Sequence, residues 1–415
     1  MAILPLFLLA AAGPLTLDAA LELASQQNPG VQAARLRVLE REAMAVSAKA
    51  AYLPQAEIVV SGTRQTSNLQ GIGLAFPGLS DRIGPYRTFN ARPVVTQKVL
   101  DYSLVSAIRA ARLQTSAAKL DVEAVREETQ AAVVTLYLQT FQAQSRVRAA
   151  KARLAVADAM LGQVEEKEKG GAASQLDVAR NRQQREAEQV SLIHAEQEMA
   201  LLRPALAEML GAPVEGDLAE PRLGMVLEGA ERADIRAATE RVKAAAEEVQ
   251  RARRQRWPQL AASGDYGVLG AGPDRATSTY AVGATLLIPV WTSGRLEAEM
   301  RAAEQRLAQA KEEERRLRLA AARMEAQARI AHEGQARAAV AAGASATAAR
   351  KVLELARLRY ESGMATAVDT ATAQGALAAA EEQEIRARYE GAIALARLAF
   401  ARGDVKAALA ANSGR

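Results

Sequence analysis

The sequence predicts a mainly α protein with a small β part, built from duplicated long α-helical hairpins of coiled-coil character and four β-strands. Three observations carry this prediction. The chain is written twice: Gly171-Ala172-Ala173-Ser174-Gln175-Leu176-Asp177 returns as Gly363-Met364-Ala365-Thr366-Ala367-Val368-Asp369, a displacement of 192, which also carries Leu210-Gly211 onto Arg402-Gly403. Each copy holds helical runs far longer than a globular core needs, broken at glycine. Each copy also holds a stretch in which the apolar period changes from helical to two. A repeat of this length is not a solenoid unit, which spans only ~20 to 50 residues, so the chain is two copies of one large unit.

Composition supports long helices packed through small side chains. Of 415 residues only 4% are aromatic, while Ala, Glu, Gln, Arg and Leu dominate. The formal charge of +5 is interspersed along the chain. No basic face of the kind that holds a nucleic acid is visible. Cysteine is absent, which excludes disulfides and thiolate metal sites.

Residues 1–12 are apolar and end in Ala10-Ala11-Ala12 before Gly13-Pro14, which reads as an export signal peptide, although no Lys or Arg precedes Arg35. The first structural repeat then occupies 13–230 and the second 231–404, with a C-terminal tail at 405–415. Each repeat opens with a helix, at 17–52 and 233–256, the first interrupted at Asn28-Pro29. Both helices stop at matching prolines, in Leu53-Pro54-Gln55 and Trp257-Pro258-Gln259.

A β-hairpin follows each stop, at about 55–99 and about 259–290. Tyr280, Val282, Ala284 and Leu286 alternate with Ala281, Gly283, Thr285 and Leu287, as in a strand with one face in a more apolar medium. The first inter-strand loop is the longer, with Gly71-Ile72-Gly73 and Pro77-Gly78. It absorbs the difference between the 192 displacement and the displacement of 204 that carries Pro54 onto Pro258.

Long helical hairpins complete the repeats, at about 103–210 and about 294–402. An unbroken outgoing arm would be roughly 100 Å long at ~1.5 Å per residue. Leu104, Ile108, Ala111, Thr115 and Ala118 begin a heptad that runs to Leu136, and Leu296, Met300, Ala303, Leu307 and Ala310 begin its shifted copy, which runs to Ala328. A strict alternation of four and three is a coiled-coil seam, and its Ala and Thr content brings helix axes close. Gly170-Gly171 and Ser362-Gly363 turn the hairpins, and Ser174 and Thr366 are placed to cap the return arms.

The chemistry-bearing inventory does not suggest an enzyme. His194 and His332 stand alone on helices, His332-Glu333 lacks the second histidine of a metalloprotease motif, and neither a nucleotide loop nor a nucleophile-base set is present. No cofactor and no metal is expected. Asp177 and Asp369 recur at equivalent tip positions. A first-turn carboxylate stabilises its helix through the dipole, and a repeated tip aspartate also becomes a ring of charge if the chain assembles symmetrically.

Taken together, Asn28-Pro29-Gly30-Val31, the Leu-Pro-Gln stop, the junction Val99-Leu100-Asp101-Tyr102 and the doubled Gly-x-x-[Ser/Thr]-x-[Leu/Val]-Asp followed by a late Leu-x-x-x-x-Gly resemble the TolC-like outer-membrane efflux proteins, over about Leu15 to Asp404. The resemblance implies a homotrimer in which each protomer gives four strands to one 12-stranded transmembrane β-barrel and its helices to a periplasmic α-barrel. It implies residence in the Gram-negative outer membrane in contact with outer-membrane lipid, and passive conduction for efflux or type I secretion. The implied partners are a periplasmic adaptor protein and an inner-membrane transporter, with no nucleic acid. Gly170, Gly171, Asp177, Tyr360, Gly363 and Asp369 fall on the hairpin tips that form the family's periplasmic aperture. The pattern departs where relatives place a tip arginine and a second tip acid, here Ala365 and Thr372. A soluble coiled-coil scaffold is the rival reading, and it leaves the paired strand hairpins unexplained.

Overall fold

In a computed structural model of the full chain, the structure describes residues 14–68, 71, 73, 82–221, 229–362, 364 and 367–403. Residues 1–12, expected to be an export signal, residues 405–415, expected to be a tail, and most of the first inter-strand loop lie outside the described residues.

Two short helices open the chain, α1 (Leu17–Gln27) and α2 (Pro29–Ala50). Asn28 makes them two. Its N–H donates to the Ala24 carbonyl and closes α1, while its Oδ1 accepts from Gly30 N at 2.8 Å and Val31 N at 3.2 Å and so starts α2. Pro29 occupies the first helical position, where no N–H is needed. Strands β1 (Gln55–Asn68) and β2 (Arg82–Leu100) follow, then the 68-residue helix α3 (Tyr102–Lys169) and its return arm α4 (Gln175–Leu210). The order repeats as α5 (Ala233–Arg254), β3 (Gln259–Gly270), β4 (Ala276–Leu287), α6 (Arg295–Glu361) and α7 (Ala367–Ala401). β4 stops before Ile288-Pro289, where the proline ring removes a ladder donor.

The chain folds into two compact units, each drawing on both copies of the sequence. One comprises 1–36, 120–236 and 316–415, and the other 37–119 and 237–315. In the first unit α1 lies against α3, α4 and α7 around Leu21, Val133, Tyr137, Leu138, Phe141, Leu206 and Ile393, all buried. Burying each large apolar side chain stabilises by ~1.5 to 3 kcal/mol. The Tyr137 hydroxyl lies 2.7 Å from the carbonyls of both Leu15 and Ala219, which belong to a short parallel bridge. Gln144 holds the same bridge, accepting from Leu218 N and donating to Leu218 O. Thr135, Thr140 and Ser145 on α3 donate back to the carbonyls four residues earlier, so these three hydroxyls are satisfied within the helix.

The second unit joins the lower arms of four helices to one antiparallel sheet, order β1-β2-β3-β4. Val249 and Ala252 of α5 pack on Ala303, Met300 and Leu307 of α6. All ten heptad positions from Leu296 to Ala328 are buried or half-buried on α6, among largely exposed neighbours. On α3 burial spreads beyond the stripe, to Val133, Val134, Tyr137 and Leu138, because that helix is covered on several sides.

The copies share their turn chemistry. At the first hairpin Gly170 N donates to Glu166 O and Ala172 N to Lys167 O; at the second, Ser362 N donates to Leu358 O and Met364 N to Arg359 O, each donor and acceptor displaced by 192. Gly211 (φ 71°) and Gly403 (φ 73°) close the two return arms in the left-handed conformation. Each faces a carbonyl so closely that an added Cβ would sit 2.7 Å from Gln27 O or 2.6 Å from Ala230 O. Only glycine meets both demands.

Candidate functional site

Antiparallel pairing makes opposed residues share a face, so the registers of the three ladders divide the sheet into two unlike surfaces. One surface carries Ile58 and Val60 of β1, Phe89, Pro93 and Val95 of β2, Leu260, Tyr266 and Val268 of β3, and Tyr280, Val282 and Leu286 of β4. Most of its large apolar side chains face outward into solvent, Ile58 77% exposed, Tyr280 77% and Val282 82%, while Phe89, Leu260 and Val268 are half-buried. A contiguous exposed apolar face of this extent marks a surface that meets another apolar medium. From Leu260, opposite Leu100, to Gly270, opposite Phe89, it covers about 33 Å of strand at ~3.3 Å per residue, or about 25 Å once the strand is tilted by ~40°, the height of an outer-membrane apolar band. Trp257, 49% exposed, and Trp291, 85% exposed, lie just beyond its helix-proximal end, where aromatic girdles sit in such barrels.

The opposite surface is polar and cross-linked. Gln65 donates to the Tyr86 hydroxyl at 2.8 Å, Ser67 Oγ lies 2.6 Å from the same oxygen, and the Thr63 and Thr88 hydroxyls touch. Arg92 is the hub. Its Nε donates to Asn90 Oδ1 at 2.5 Å, Nη1 to Asp265 Oδ1 at 2.8 Å and Nη2 to Thr279 Oγ1 at 3.4 Å, tying β2 to β3 and β4. Gly267 stands opposite Arg92. A Cβ there would lie 2.3 Å from Arg92 Cβ and 2.4 Å from Ala91 O, so the missing side chain is what admits the arginine. An alternation of apolar outside and hydrogen-bonded polar inside is that of a strand between lipid and a wet lumen. Among the described residues the outer strands β1 and β4 each keep an unpaired edge, which a bilayer does not tolerate.

The strand-to-helix junction is stiff. The buried Asp101 carboxylate accepts from Ser103 N at 3.0 Å, Leu104 N at 3.3 Å and Ser103 Oγ at 2.6 Å, with Lys98 Nζ at 3.7 Å. Tyr102 meets Trp257 edge-on at 5.0 Å, and Arg254 donates to Ser106 at 2.7 Å.

At the first hairpin tip Gly170, Gly171 and Asp177 lie in one turn. Gly171 adopts φ 75° with open space around it. Asp177 and Ser174 form a reciprocal capping box, Asp177 N to Ser174 Oγ at 3.2 Å and Ser174 N to Asp177 Oδ2 at 3.2 Å. The Ser174 hydroxyl and N–H hold the carboxyl below its ordinary pKa, so it stays charged. Tyr360 closes the last turn of α6, and Lys167 of α3 approaches its ring at 5.8 Å, which sets the two tips side by side. Asp369 lies exposed in the first turn of α7. Gly363 and Thr366 fall outside the described residues. Between the two hairpins a cleft of 270 Å³ is lined by Ala149, Ala152, Ala157, Leu353 and Ala378, with Gln374 donating to Met160 Sδ at 3.0 Å. Ion pairs run along each hairpin, Arg153–Glu188, Arg182–Glu165 and Arg185–Asp158 on one and Arg350 with Glu381 and Glu384 on the other.

Among the described residues no group of His, Asp and Glu is gathered to hold a metal, and no helix is long and apolar enough to cross a membrane. Sequence reasoning missed Arg92, Asp265 and Gly267. The available signal was parity, since Arg92 alternates with apolar Ala91 and Pro93, and Asp265 with Tyr266.

The chain matches the family model described as outer membrane efflux protein over residues 20–212 and 227–404. It is 28% identical to the pyoverdine export outer membrane protein OpmQ of Pseudomonas putida over 386 residues, 89% of this chain and 82% of that one. Among solved structures it is similar to a membrane protein from Pseudomonas aeruginosa, TM-score 0.82 at 22% identity over 94% of this chain and 90% of that one. It is also similar to the outer membrane protein VceC of Vibrio cholerae, TM-score 0.78 at 21% identity over 94% and 97%.

Proposed function

The chain belongs to the outer membrane efflux protein family and is an outer-membrane efflux channel, a transport component that works with an efflux pump, and on that premise we propose that it is the passive exit duct of a tripartite assembly. Three copies pair β1 of one with β4 of the next into a 12-stranded barrel, which removes both free edges. The helical hairpins form the periplasmic conduit, and their tips, carrying Gly170, Gly171, Asp177, Tyr360, Gly363 and Asp369, form the aperture that meets a periplasmic adaptor bound to an inner-membrane transporter. Energy comes from that transporter, because no nucleotide loop occurs in the chain.

The observation that supports this reading best is the two-faced sheet, apolar over about 25 Å on one side and polar on the other, with both edges open. The chain has no native cysteine, so single cysteines report cleanly. Those at Tyr280, Val282 and Leu286 should react with a lipid-soluble maleimide and resist a membrane-impermeant one, and those at Ala281, Gly283 and Thr285 should do the reverse. Equal aqueous labelling of both sets would reject the barrel.

A further inference from the structure

The apolar face of the first hairpin ends at a pair of like charges. One step beyond Gly62 and Phe89, on the same face, Arg64 and Arg87 stand directly opposite each other in the β1–β2 ladder. Both are exposed. Among the described residues neither side chain has a hydrogen bond or an ion pair. Like charges directly opposed across two strands destabilise a hairpin. Elsewhere in the sheet the chain avoids this: Arg92 is given Asp265 at 2.8 Å, and Arg275 at the β3–β4 turn has Asp274 at 3.5 Å. A pair of arginines left opposed and, among the described residues, unneutralised is therefore a place where an outside anion relieves a repulsion built into the fold.

Depth identifies the anion. The strands run from helices at one end to hairpin loops at the other, and Ala56 to Arg64 spans the ~9 to 11 residues a tilted strand takes to cross a bilayer. The apolar band occupies the intervening positions, with Ile58 and Val60 between the helix end and the pair. Arg64 and Arg87 thus fall at the outer headgroup level, on the lipid side of the sheet. Two planar guanidinium forks side by side suit a tetrahedral oxyanion that accepts two bidentate pairs.

We propose that Arg64 and Arg87 form a clamp for the phosphate of a phosphorylated glycolipid in the outer leaflet, a lipid site on the outer wall of the channel. The proposal rests on the outer-membrane placement argued above. The clamp neutralises the opposed charges, fixes the hairpin's height in the membrane and couples the stability of β1, an edge strand, to the lipid around it.

The full-length protein, purified in neutral detergent, is mixed with bisphosphorylated lipid A or with the same lipid stripped of phosphate, and retained lipid is counted by native mass spectrometry. The wild type should retain the phosphorylated form and release the stripped one. The double variant Arg64→Gln/Arg87→Gln should weaken retention about twenty-five-fold, from about fivefold for each basic residue near an anionic lipid surface, while Arg275→Gln leaves it unchanged. Arg64→Glu places an opposite charge beside Arg87, so the hairpin keeps its register and lipid retention is still lost. Heat-modifiable migration monitors assembly separately. A wild type without it counts against the membrane reading, whereas a double variant that migrates normally yet binds lipid A like the wild type overturns the clamp. Equal retention of stripped lipid, or complete displacement by millimolar inorganic phosphate, overturns it as well.

Discussion

Gly267→Ala is a small change with a large expected effect. The added methyl carbon would lie 2.3 Å from Arg92 Cβ, 2.4 Å from Ala91 O and 2.6 Å from Arg92 Cα. Two of those three contacts are backbone atoms, so no rotamer change relieves them, and β2 and β3 must separate. Overpacking of this kind costs about 1 to 3 kcal/mol, and even 1 to 2 kcal/mol shifts the folding equilibrium roughly 5- to 30-fold. Displacing Arg92 also loosens the bridge to Asp265. Two neighbouring glycines serve as controls: a Cβ at Gly264 would have its nearest contact 3.8 Å away, and one at Gly283 would have none within 4 Å. Gly264→Ala and Gly283→Ala should be neutral or slightly stabilising, by up to ~1 kcal/mol through the unfolded chain. The assay is the midpoint of heat-induced loss of the β signal in detergent for all three variants. A midpoint for Gly267→Ala equal to that of Gly283→Ala would refute the close approach of β2 and β3 and the placement of Arg92 across it.

Three further outcomes are expected. Leu296, buried at the foot of α6, should not accept charge: Leu296→Glu leaves a buried, unpaired carboxylate at several kcal/mol, and assembled protein on mild-detergent gels should disappear. Burial raises the Glu127 pKa against the opposing pull of the Ala233 N–H and Arg236; its folded state holds the proton more tightly than the unfolded state, so stability falls as pH rises through the window between the unfolded and folded values, and Glu127→Gln, which keeps the acceptor, should flatten that decline in pH-dependent melting and gain stability at neutral pH. The double change Asp177→Asn/Asp369→Asn should preserve the helices and make conductance less cation-selective, read as a reversal-potential shift in a salt gradient; an unchanged potential would leave the two carboxylates only their helix-starting role.

Features written in local sequence are legible in the order of the amino acids alone. The long helices, the stops at Pro54 and Pro258 and the turn glycines follow from a period, a missing N–H or a positive φ, each set by a few adjacent residues. Ser174 and Asp177 are readable as a cap because they stand three positions apart. The tertiary structure decided what depends on partners far away in the chain. Arg92 finds Asp265 across 173 residues, and Gly267 matters only because the β2–β3 register brings Arg92 over it. Arg64 and Arg87 look like two scattered surface charges until the β1–β2 register places them face to face. Neither repeat could foretell that each compact unit would take segments from both copies, since packing follows spatial contact rather than chain order. Side-chain alternation tells which residues of one strand share a face, but a register slip of one residue turns every side chain over, and long-range strand pairing alone fixes that choice.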